Sequence, residues 1–363
     1  MLPECYINQE SGVYSRFRGF TMERIKKYFT IRLPCMLTFG ALQLLIIIWI
    51  LREWNASFVK VLHLIGRQNT TAGTQRELNL TVPTWEEVIA RHTPTASRHD
   101  AAELCSETSC TPLSSLYQIP TPDTLPPALW IPNNCTSSQA VALLIPYRDR
   151  EINLRIFLNN MFSFLCNQQL EYAIIIVEQL DNTSFNRAAL FNIGFKESER
   201  IRTFDCFILH DVDKLPEDEY LPYQCENNPV HLSGALDTFK YKTPYKGFFG
   251  GVSAISRDQM IRIRGLSNKY YGWGGEDDDL AKRLLHMQYQ IRRHPLEFSR
   301  YTSIFHKPDE RNEKNPTRFG LLESAETRMM VDGYPETRYT VTFAGPKLNG
   351  LIYWISVKIP ADM

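Results

Sequence analysis

Two short acidic motifs are the parts of this 363-residue sequence best suited to do chemistry. The first, Asp211-Val212-Asp213, directly follows the apolar run "CFIL". Hard carboxylate oxygens at the end of a strand suit Mg²⁺ or Mn²⁺ that bridges a diphosphate. If the backbone stays extended, alternation places the carboxylates of Asp211 and Asp213 on one side and Val212 on the other. The alternative for so short a motif is a polar turn after a strand.

The second motif, "GWGGEDDD" at residues 272–279, carries more acids than the start of a helix needs. Acids in a first helical turn favour the positive end of the helix dipole, which is the structural alternative. Four in succession, however, repel one another. Trp273 stands between glycines just before them and indicates a mobile loop with a surface on which a sugar can stack. Carboxylates can accept hydrogen bonds from sugar hydroxyls, and one can take the proton of an attacking hydroxyl.

Basic residues near the predicted strand ends supply positive charge that complements the two acidic motifs. Arg148 and Arg150 follow a strand that ends at Pro146, and Arg187 stands in "FNRA". Such arginines could bind phosphate through paired hydrogen bonds, although each taken singly is more often a surface residue. His306 opens the polar stretch "HKPDERNEKNPTRF", which fits a mobile lid. Alone, this histidine would more often be a surface or packing residue than a ligand.

The elements that must position these groups alternate along the chain. The runs "AVALLIP", "YAIIIVEQ" and "DCFILHDVD" predict three strands. Between them, "LRIFLNNMFSFL" and "SFNRAALFNIGFKES" predict helices, the second with Ser184 as its N-cap. Strands alternating with helices predict an α/β fold with a parallel sheet, whose carboxyl edge collects the ligands.

The N-terminal part of the chain predicts a membrane anchor. Leu33 to Leu51 holds 19 residues without a charge, which is close to the length of a spanning helix. Six basic residues precede it, so residues 1–32 are expected to be a cytosolic tail. A cleaved signal peptide is the alternative, disfavoured by the long leader and the lack of a small-x-small site. Residues 52–104 read as a polar stem and residues 105–363 as a lumenal catalytic domain.

Composition narrows the class of protein further. Lys plus Arg and Asp plus Glu both number 40, which argues against a nucleic-acid-binding protein. The eight cysteines show no CxxC spacing typical of structural zinc. With a lumenal domain they favour disulfides. Five glycosylation sequons support the same lumenal location, at Asn55, Asn69, Asn79, Asn134 and Asn182.

Six blocks of sequence, in this order, resemble the β-1,4-galactosyltransferase family over roughly Cys135 to Gly333. The blocks are "IPYRDR", "FNRAALFNIGF", "DCFILHDVD", "FFGGVSAISRDQ", "YYGWGGEDDD" and "HKPDERNEKNPTRF". The resemblance implies a GT-A type α/β fold with a mostly parallel sheet, preceded by one transmembrane helix and a stem. It also implies a single-pass type II protein of the Golgi membrane with a lumenal catalytic domain.

The resemblance implies a role for each matching residue. The uridine diphosphate site comprises Pro146, Arg148, Arg150, Phe185, Arg187, Asp211 and Val212. The donor-sugar site comprises Phe248, Gly251, Trp273 and Glu276. The acceptor site comprises Trp273, Gly274, Asp277, Asp278, Arg318 and Phe319. Asp213 and His306 match the ligands of Mn²⁺, and Asp277 matches the catalytic base.

The resemblance also implies the pairing of cysteines and the reaction. Cys206 and Cys225 match one family disulfide, and Cys135 matches half of another, with Cys105 or Cys110 as its partner. The implied reaction is the inverting transfer of galactose from UDP-galactose to a terminal N-acetylglucosamine (GlcNAc) of glycoprotein or glycolipid glycans. No nucleic-acid partner is expected, and a homodimer is left open.

Two departures from the family keep alternatives open. Members that resemble the lactose-synthase enzyme carry methionine where Ser303 stands, so metal preference and affinity are open. Galactose-transferring members carry tyrosine where Phe248 stands. Phenylalanine keeps the bulk that would crowd a donor N-acetyl group, so galactose is expected, with N-acetylgalactosamine (GalNAc) as the alternative. A non-catalytic lectin is a further alternative, whereas transfer to xylose is disfavoured by Arg318 and Phe319.

Overall fold

The structure, a computed structural model, describes residues 75–93, 110–112, 128–132 and 136–361. All of them belong to one compact unit that begins at Ala72. The predicted anchor lies outside the described residues, as do Cys105, Cys135, Asn55, Asn69 and Asn134. Within the described ranges, no helix has the length and apolar character required to cross a bilayer.

Helices and strands alternate along the first half of the described chain and become shorter after it. The helices are α1 (Trp85–His92), α2 (Glu151–Cys166), α3 (Arg187–Glu197), α4 (Arg257–Arg262), α5 (Glu276–His286), α6 (Arg318–Glu323) and α7 (Ala325–Arg328). The strands are β1 (Cys110–Pro112), β2 (Trp130–Pro132), β3 (Ala140–Tyr147), β4 (Glu171–Gln179), β5 (Cys206–His210), β6 (Lys214–Pro216), β7 (Val230–His231), β8 (Ala235–Leu236), β9 (Val252–Ser256), β10 (Arg292–Arg293), β11 (Arg300–Ser303), β12 (Thr340–Lys347) and β13 (Ile352–Lys358). Short 3-10 turns lie at Ser198–Arg200, Asp237–Phe239 and Tyr334–Glu336.

The three predicted strands form the parallel centre of the main sheet. Strand β3 pairs in parallel with β4 on one side and with β5 on the other. Successive residues of β3 face opposite cores: Leu143 packs in the cluster that contains α2, and Leu144 packs in the cluster that contains α3. A strand buried on both faces reads as a continuous apolar run, which explains why "AVALLIP" lacks alternation.

The complete sheet is mixed rather than mostly parallel. Strand β9 runs antiparallel to β5, and β7 runs antiparallel to β9. At the other side, β13 joins β4 in parallel and β12 pairs with β13 as a hairpin. A smaller three-stranded sheet, in the order β6-β11-β8, lies beyond the end of β5. The later strands were not predicted because most are two to five residues long.

The beginning of α3 corrects one prediction. The N-cap is Asn186 and not Ser184, because the Asn186 side chain accepts a hydrogen bond from the backbone of Ala189 at 2.9 Å. Asparagine and serine are comparable N-caps, so residue preference alone does not choose between them. The shift matters because it makes Arg187 the first helical residue and places it at the sheet edge.

Two other predictions concern the periphery of the domain. The disulfide between Cys206 and Cys225 is confirmed, with their Cα atoms 5.5 Å apart. Helix α1 lies within the range expected to be stem, yet Trp85 packs against the core and Arg91 donates a hydrogen bond to Asn159 of α2 at 2.8 Å. The exact boundary of the stem stays a prediction.

Candidate active site

One cleft of about 600 Å³ contains nearly all of the predicted site residues. It opens where β3 and β5 end and where α5 begins. Every residue predicted to bind the nucleotide, the donor sugar, the acceptor or the metal lines it, except Ser303. The sequence blocks are up to about 170 residues apart, so their convergence follows from the parallel sheet, whose strand ends meet at one edge.

The acidic motif after β5 forms a turn and is not extended. The Lys214 backbone N–H donates to the Asp211 carbonyl at 3.2 Å, which closes a turn over residues 211–214. The predicted alternation of side chains is therefore wrong, and Val212 lines the cleft together with both acids. The turn separates the partners of the two carboxylates, since Asp211 faces α3 and Asp213 faces the segment that contains His306.

Arg187 connects the strand edge to the acidic cluster of α5. Its guanidinium lies 2.6 Å from Asp211 and 3.5 Å from Glu276, and it stacks over the ring of Phe191. The predicted phosphate ligand is therefore also a structural residue, because it neutralises two cleft carboxylates. Its side chain is 18% exposed and lines the cleft.

Arg148 joins the cleft wall to the predicted lid. Its side chain is only 3% exposed and donates two hydrogen bonds to Asp309 and one to the Thr183 carbonyl. The guanidinium also stacks over Phe185. Arg150 lies half-buried beside it and lines the cleft. Arg148 is therefore not a solvated surface arginine.

The four acids of the second motif divide into two sets. Asp279 is fully buried and forms ion pairs with Arg283 at 2.7 Å and Arg328 at 2.8 Å, so it is structural. Glu276, Asp277 and Asp278 line the cleft, as predicted. Glu276 Oε2 is buried without a hydrogen-bond partner among the described residues. Such an acceptor is stabilised by a ligand hydroxyl.

The Asp277 carboxylate lies close to the backbone of Gly250. A Cβ atom at Gly250 would lie 2.3 Å from Asp277 Oδ2, so the carboxylate occupies the space a side chain would fill. The neighbouring Gly251 has a φ of +85°, a conformation that glycine adopts without strain. Burial raises the pKa of Asp277 to about 7, and the carboxylates of Glu276 and Asp278 add to the effect. A carboxylate with this pKa is a suitable general base near neutral pH.

The raised pKa of Asp277 predicts the pH dependence of activity. Only the ionised carboxylate accepts a proton, so kcat/KM is expected to rise as the pH increases through about 7 and to level off above it. The measurement is kcat/KM for transfer between about pH 5.5 and 8.5, with UDP affinity followed in parallel as the control. A flat profile over that range, with unchanged UDP affinity, would contradict the assignment.

The predicted metal ligands lie in one corner of the cleft. His306 Nε2 is 3.4 Å from Asp213 Oδ2, and the Lys214 ammonium is 3.0 Å from the same oxygen. Burial by itself raises the pKa of Asp213, but the hydrogen bonds and charges of His306 and Lys214 outweigh it and lower the pKa to about 2. The hydrogen bond to Asp213 in turn raises the pKa of His306. Asp213 is therefore ionised and able to bind a cation.

The donor set fits a hard divalent cation only in part. A carboxylate and an imidazole suit Mn²⁺. Ser303, by contrast, donates its hydroxyl to Asp237 at 2.7 Å, so it is already engaged. Within the described ranges, no three His, Cys, Asp or Glu side chains cluster as a metal site. Asp213 and His306 are the two predicted ligands whose side chains lie close enough together to hold one cation.

The predicted mobile loop and the predicted lid are joined through their backbones. Trp273 N–H donates to the Glu313 carbonyl at 2.8 Å, and Asn315 N–H donates to the Trp273 carbonyl at 3.0 Å. The Trp273 side chain is 59% exposed and that of Phe319 is 64% exposed, although both line the cleft. Large aromatic faces left in water inside a cleft are suited to stack on a sugar ring.

Sequence reasoning missed several cleft residues with polar contacts. Lys214 directly follows the acidic motif, and this position beside Asp213 is the sequence feature that could have identified it as a cleft residue. Asp309 follows His306 by three residues and pairs with Arg148. Tyr245 donates its hydroxyl to Asp278 at 2.7 Å, and nothing in its local sequence marks it.

Comparisons with known proteins indicate the family of this chain. Residues 110–226 match the family model of the N-terminal region of glycosyl transferase group 7, and residues 230–307 match the family model of the N-terminal domain of galactosyltransferase. The chain is 41% identical over 208 residues to β-1,4-galactosyltransferase 4 of Homo sapiens, covering 57% of this chain and 60% of that protein. It is 41% identical over 210 residues to β-1,4-galactosyltransferase 1 of Mus musculus, covering 58% of this chain and 53% of that protein. The match thus spans less than two thirds of these relatives.

A solved structure is similar in fold. The catalytic domain of Drosophila β-1,4-galactosyltransferase 7 with xylobiose has a TM-score of 0.54 and 27% identity, covering 61% of this chain and 95% of that one. A point variant of the same protein, solved with manganese, UDP-Gal and xylobiose, gives the same values. The expected GT-A type fold is confirmed.

Proposed function

Because the chain belongs to the β-1,4-galactosyltransferase family, we propose that it transfers galactose from UDP-galactose to a GlcNAc-terminated glycan, with inversion at the anomeric carbon. The observation that carries the proposal is the position of Asp277. Its half-buried carboxylate lies in the cleft among Glu276, Asp278 and the exposed Trp273, with a pKa raised to about 7 by burial.

The donor occupies the part of the cleft at the strand ends. Arg148, Arg150 and Arg187 place positive charge beside Asp211 and Val212, which suits the diphosphate and the uridine. Glu276 offers its unpartnered Oε2 to a hydroxyl of the donor sugar. A divalent cation held by Asp213 and His306 would stabilise charge that builds on the UDP leaving group.

The acceptor binds on the opposite side of Asp277. Trp273 and Phe319 provide the stacking surface, while Gly274, Asp278 and Arg318 complete the GlcNAc pocket. Asp277 removes the proton from the acceptor hydroxyl as the oxygen attacks the anomeric carbon. Attack from the face opposite the UDP group inverts that carbon. The donor binds first, and closure of residues 306–317 completes the acceptor site.

The lumenal setting is part of the same proposal. The uncharged run at residues 33–51 would hold the chain in the Golgi membrane as a single-pass type II protein. The two sequons that fall among described residues, at Asn79 and Asn182, are exposed and open to glycosylation.

The donor is tested by a panel of UDP-sugars with the full chain purified in detergent. UDP-galactose is expected to be used at least about tenfold more efficiently than UDP-GalNAc, since Phe248 crowds a donor N-acetyl group. The Phe248 ring is held between Phe239 and Tyr245, with ring centroids 5.8 and 5.5 Å away. Phe248→Leu is expected to raise GalNAc transfer relative to galactose transfer, measured as kcat/KM for each donor.

The matched control is Phe343→Leu, on β12 and outside the cleft, which should leave the donor ratio unchanged. Acceptors ending in GlcNAc and in xylose are compared in parallel. Faster transfer to xylose than to GlcNAc would show that xylose, and not GlcNAc, is the preferred acceptor. No sugar transfer from any donor would favour the lectin alternative.

A further inference from the structure

Both carboxylates of the acidic motif are already paired with cations of this chain. Arg187 lies 2.6 Å from Asp211, and the Lys214 ammonium lies 3.0 Å from Asp213. A metal ion that binds Asp213 must therefore share its oxygen with an ammonium group. Repulsion between two cations on one carboxylate weakens the binding of the second.

The fold fixes the position of Lys214. Its backbone is held in the turn by Asp211, and β6 pairs with β11 so that Lys214 stands directly opposite Ser303. The Ser303 hydroxyl accepts a hydrogen bond from the ammonium at 3.2 Å and donates its own proton to Asp237 at 2.7 Å. Asp237 also accepts from the Ser303 backbone at 3.1 Å. The residue that departs from the metal-binding pattern therefore positions the lysine.

The ammonium is available to a ligand in the cleft. Lys214 lines the cleft with Asp213 and His306, and its side chain is 13% exposed. An ammonium group donates three hydrogen bonds, and Asp213 and Ser303 accept two of them. The third proton is left for an anion that reaches the same corner, where the diphosphate of the donor would lie.

We propose that Lys214 supplies a permanent positive charge to the donor site. Its ammonium group contacts the donor diphosphate and neutralises Asp213. This inference rests on the proposed function, because it takes a nucleoside diphosphate as the ligand of the cleft. It follows that the chain binds UDP without a divalent ion. It also follows that the chain binds Mn²⁺ weakly, because Lys214 competes with the ion for the Asp213 carboxylate.

Two binding measurements on the full chain in detergent test the role of Lys214. Neither measurement depends on enzymatic activity. The first is UDP affinity by calorimetry, in EDTA and in Mn²⁺. The wild type is expected to bind UDP in EDTA within about tenfold of its affinity in Mn²⁺, whereas Lys214→Met loses at least about tenfold in EDTA. The second is Mn²⁺ affinity from the electron paramagnetic resonance of the free ion. Lys214→Met is expected to bind Mn²⁺ at least about tenfold more tightly.

Lys358→Met is the matched control, because Lys358 is exposed at the end of β13 and outside the cleft. It should behave as the wild type in both measurements. Loss of UDP binding by the wild type in EDTA would overturn the proposal without any variant, which covers the case that Lys214→Met does not fold. A folded Lys214→Met with unchanged affinities would also overturn it.

Failure of this inference about Lys214 can be distinguished from failure of the proposed function. If the wild type binds UDP in EDTA and Lys214→Met does not, but no sugar is transferred from any UDP-sugar, the proposed reaction is wrong and the role of Lys214 stands. If it transfers galactose but binds no UDP without Mn²⁺, the reaction stands and the role of Lys214 is wrong.

Discussion

Asp277→Asn is expected to lower kcat for galactose transfer by about a thousandfold, within the range that general bases contribute. The amide keeps the size of the side chain but cannot take the proton of the acceptor hydroxyl. Since Gly250 leaves just enough space for this side chain, the isosteric change should not disturb the backbone. The measurement is steady-state transfer with saturating donor and acceptor, together with UDP affinity, which should stay unchanged.

Asp258→Asn provides the control. Asp258 is exposed on α4 and lies outside the cleft, so the same chemical change there should leave kcat as in the wild type. Near-normal turnover by Asp277→Asn would rule out the proposed base. Loss of UDP affinity would instead indicate that the substitution disturbs the donor site.

Arg283→Met is expected to lower the free energy of unfolding by about 3 kcal/mol, the lower end of the cost of removing one partner of a buried ion pair, because Asp279 keeps its ion pair with Arg328. The Arg283 and Asp279 side chains are both fully buried. Arg283 also donates to the Asp332 carbonyl at 2.7 Å, so it ties α5 to the segment after α7. The measurement is urea unfolding followed by circular dichroism. Because α5 carries Asp277, kcat is expected to fall as well.

Arg262→Met is the corresponding control, since Arg262 is exposed at the end of α4. It should change stability by less than about 0.5 kcal/mol. If Arg283→Met unfolds at the same urea concentration as Arg262→Met, then Arg328 alone compensates Asp279, and α5 is held by other contacts.

The centre of the fold was predictable because its strands are buried on both faces. A continuous apolar run such as "AVALLIP" has few other structures available within an α/β pattern. The later strands were not predictable from local sequence. Strand β7 has two residues, and its pairing with β9 depends on a chain reversal set by tertiary contacts. Asn186, the N-cap in place of Ser184, is also held by a long-range contact, since its side chain donates to the Asn268 carbonyl at 2.7 Å.

The residues of the candidate site were likewise predictable from the sequence only in part. Residues within motifs, such as Asp277 and His306, could be identified because their neighbours in sequence also line the cleft. Most hydrogen-bond and ion-pair partners of the cleft residues could not, because they lie on distant segments of the chain. Tyr245 meets Asp278 across 33 positions of sequence, and Arg148 meets Asp309 across 161. The pairing of Asp213 with Lys214, although adjacent, requires the turn that extended geometry did not predict.

The junction between the Trp273 loop and the lid has a consequence for how enzymes of this type diversify. Both hydrogen bonds run between main-chain atoms, so they do not depend on which side chains stand at positions 273, 313 and 315. Substitutions at these positions can therefore change the surface of the cleft while the two segments stay joined. Proline is the main substitution that position 273 excludes, because it lacks the N–H that donates to Glu313.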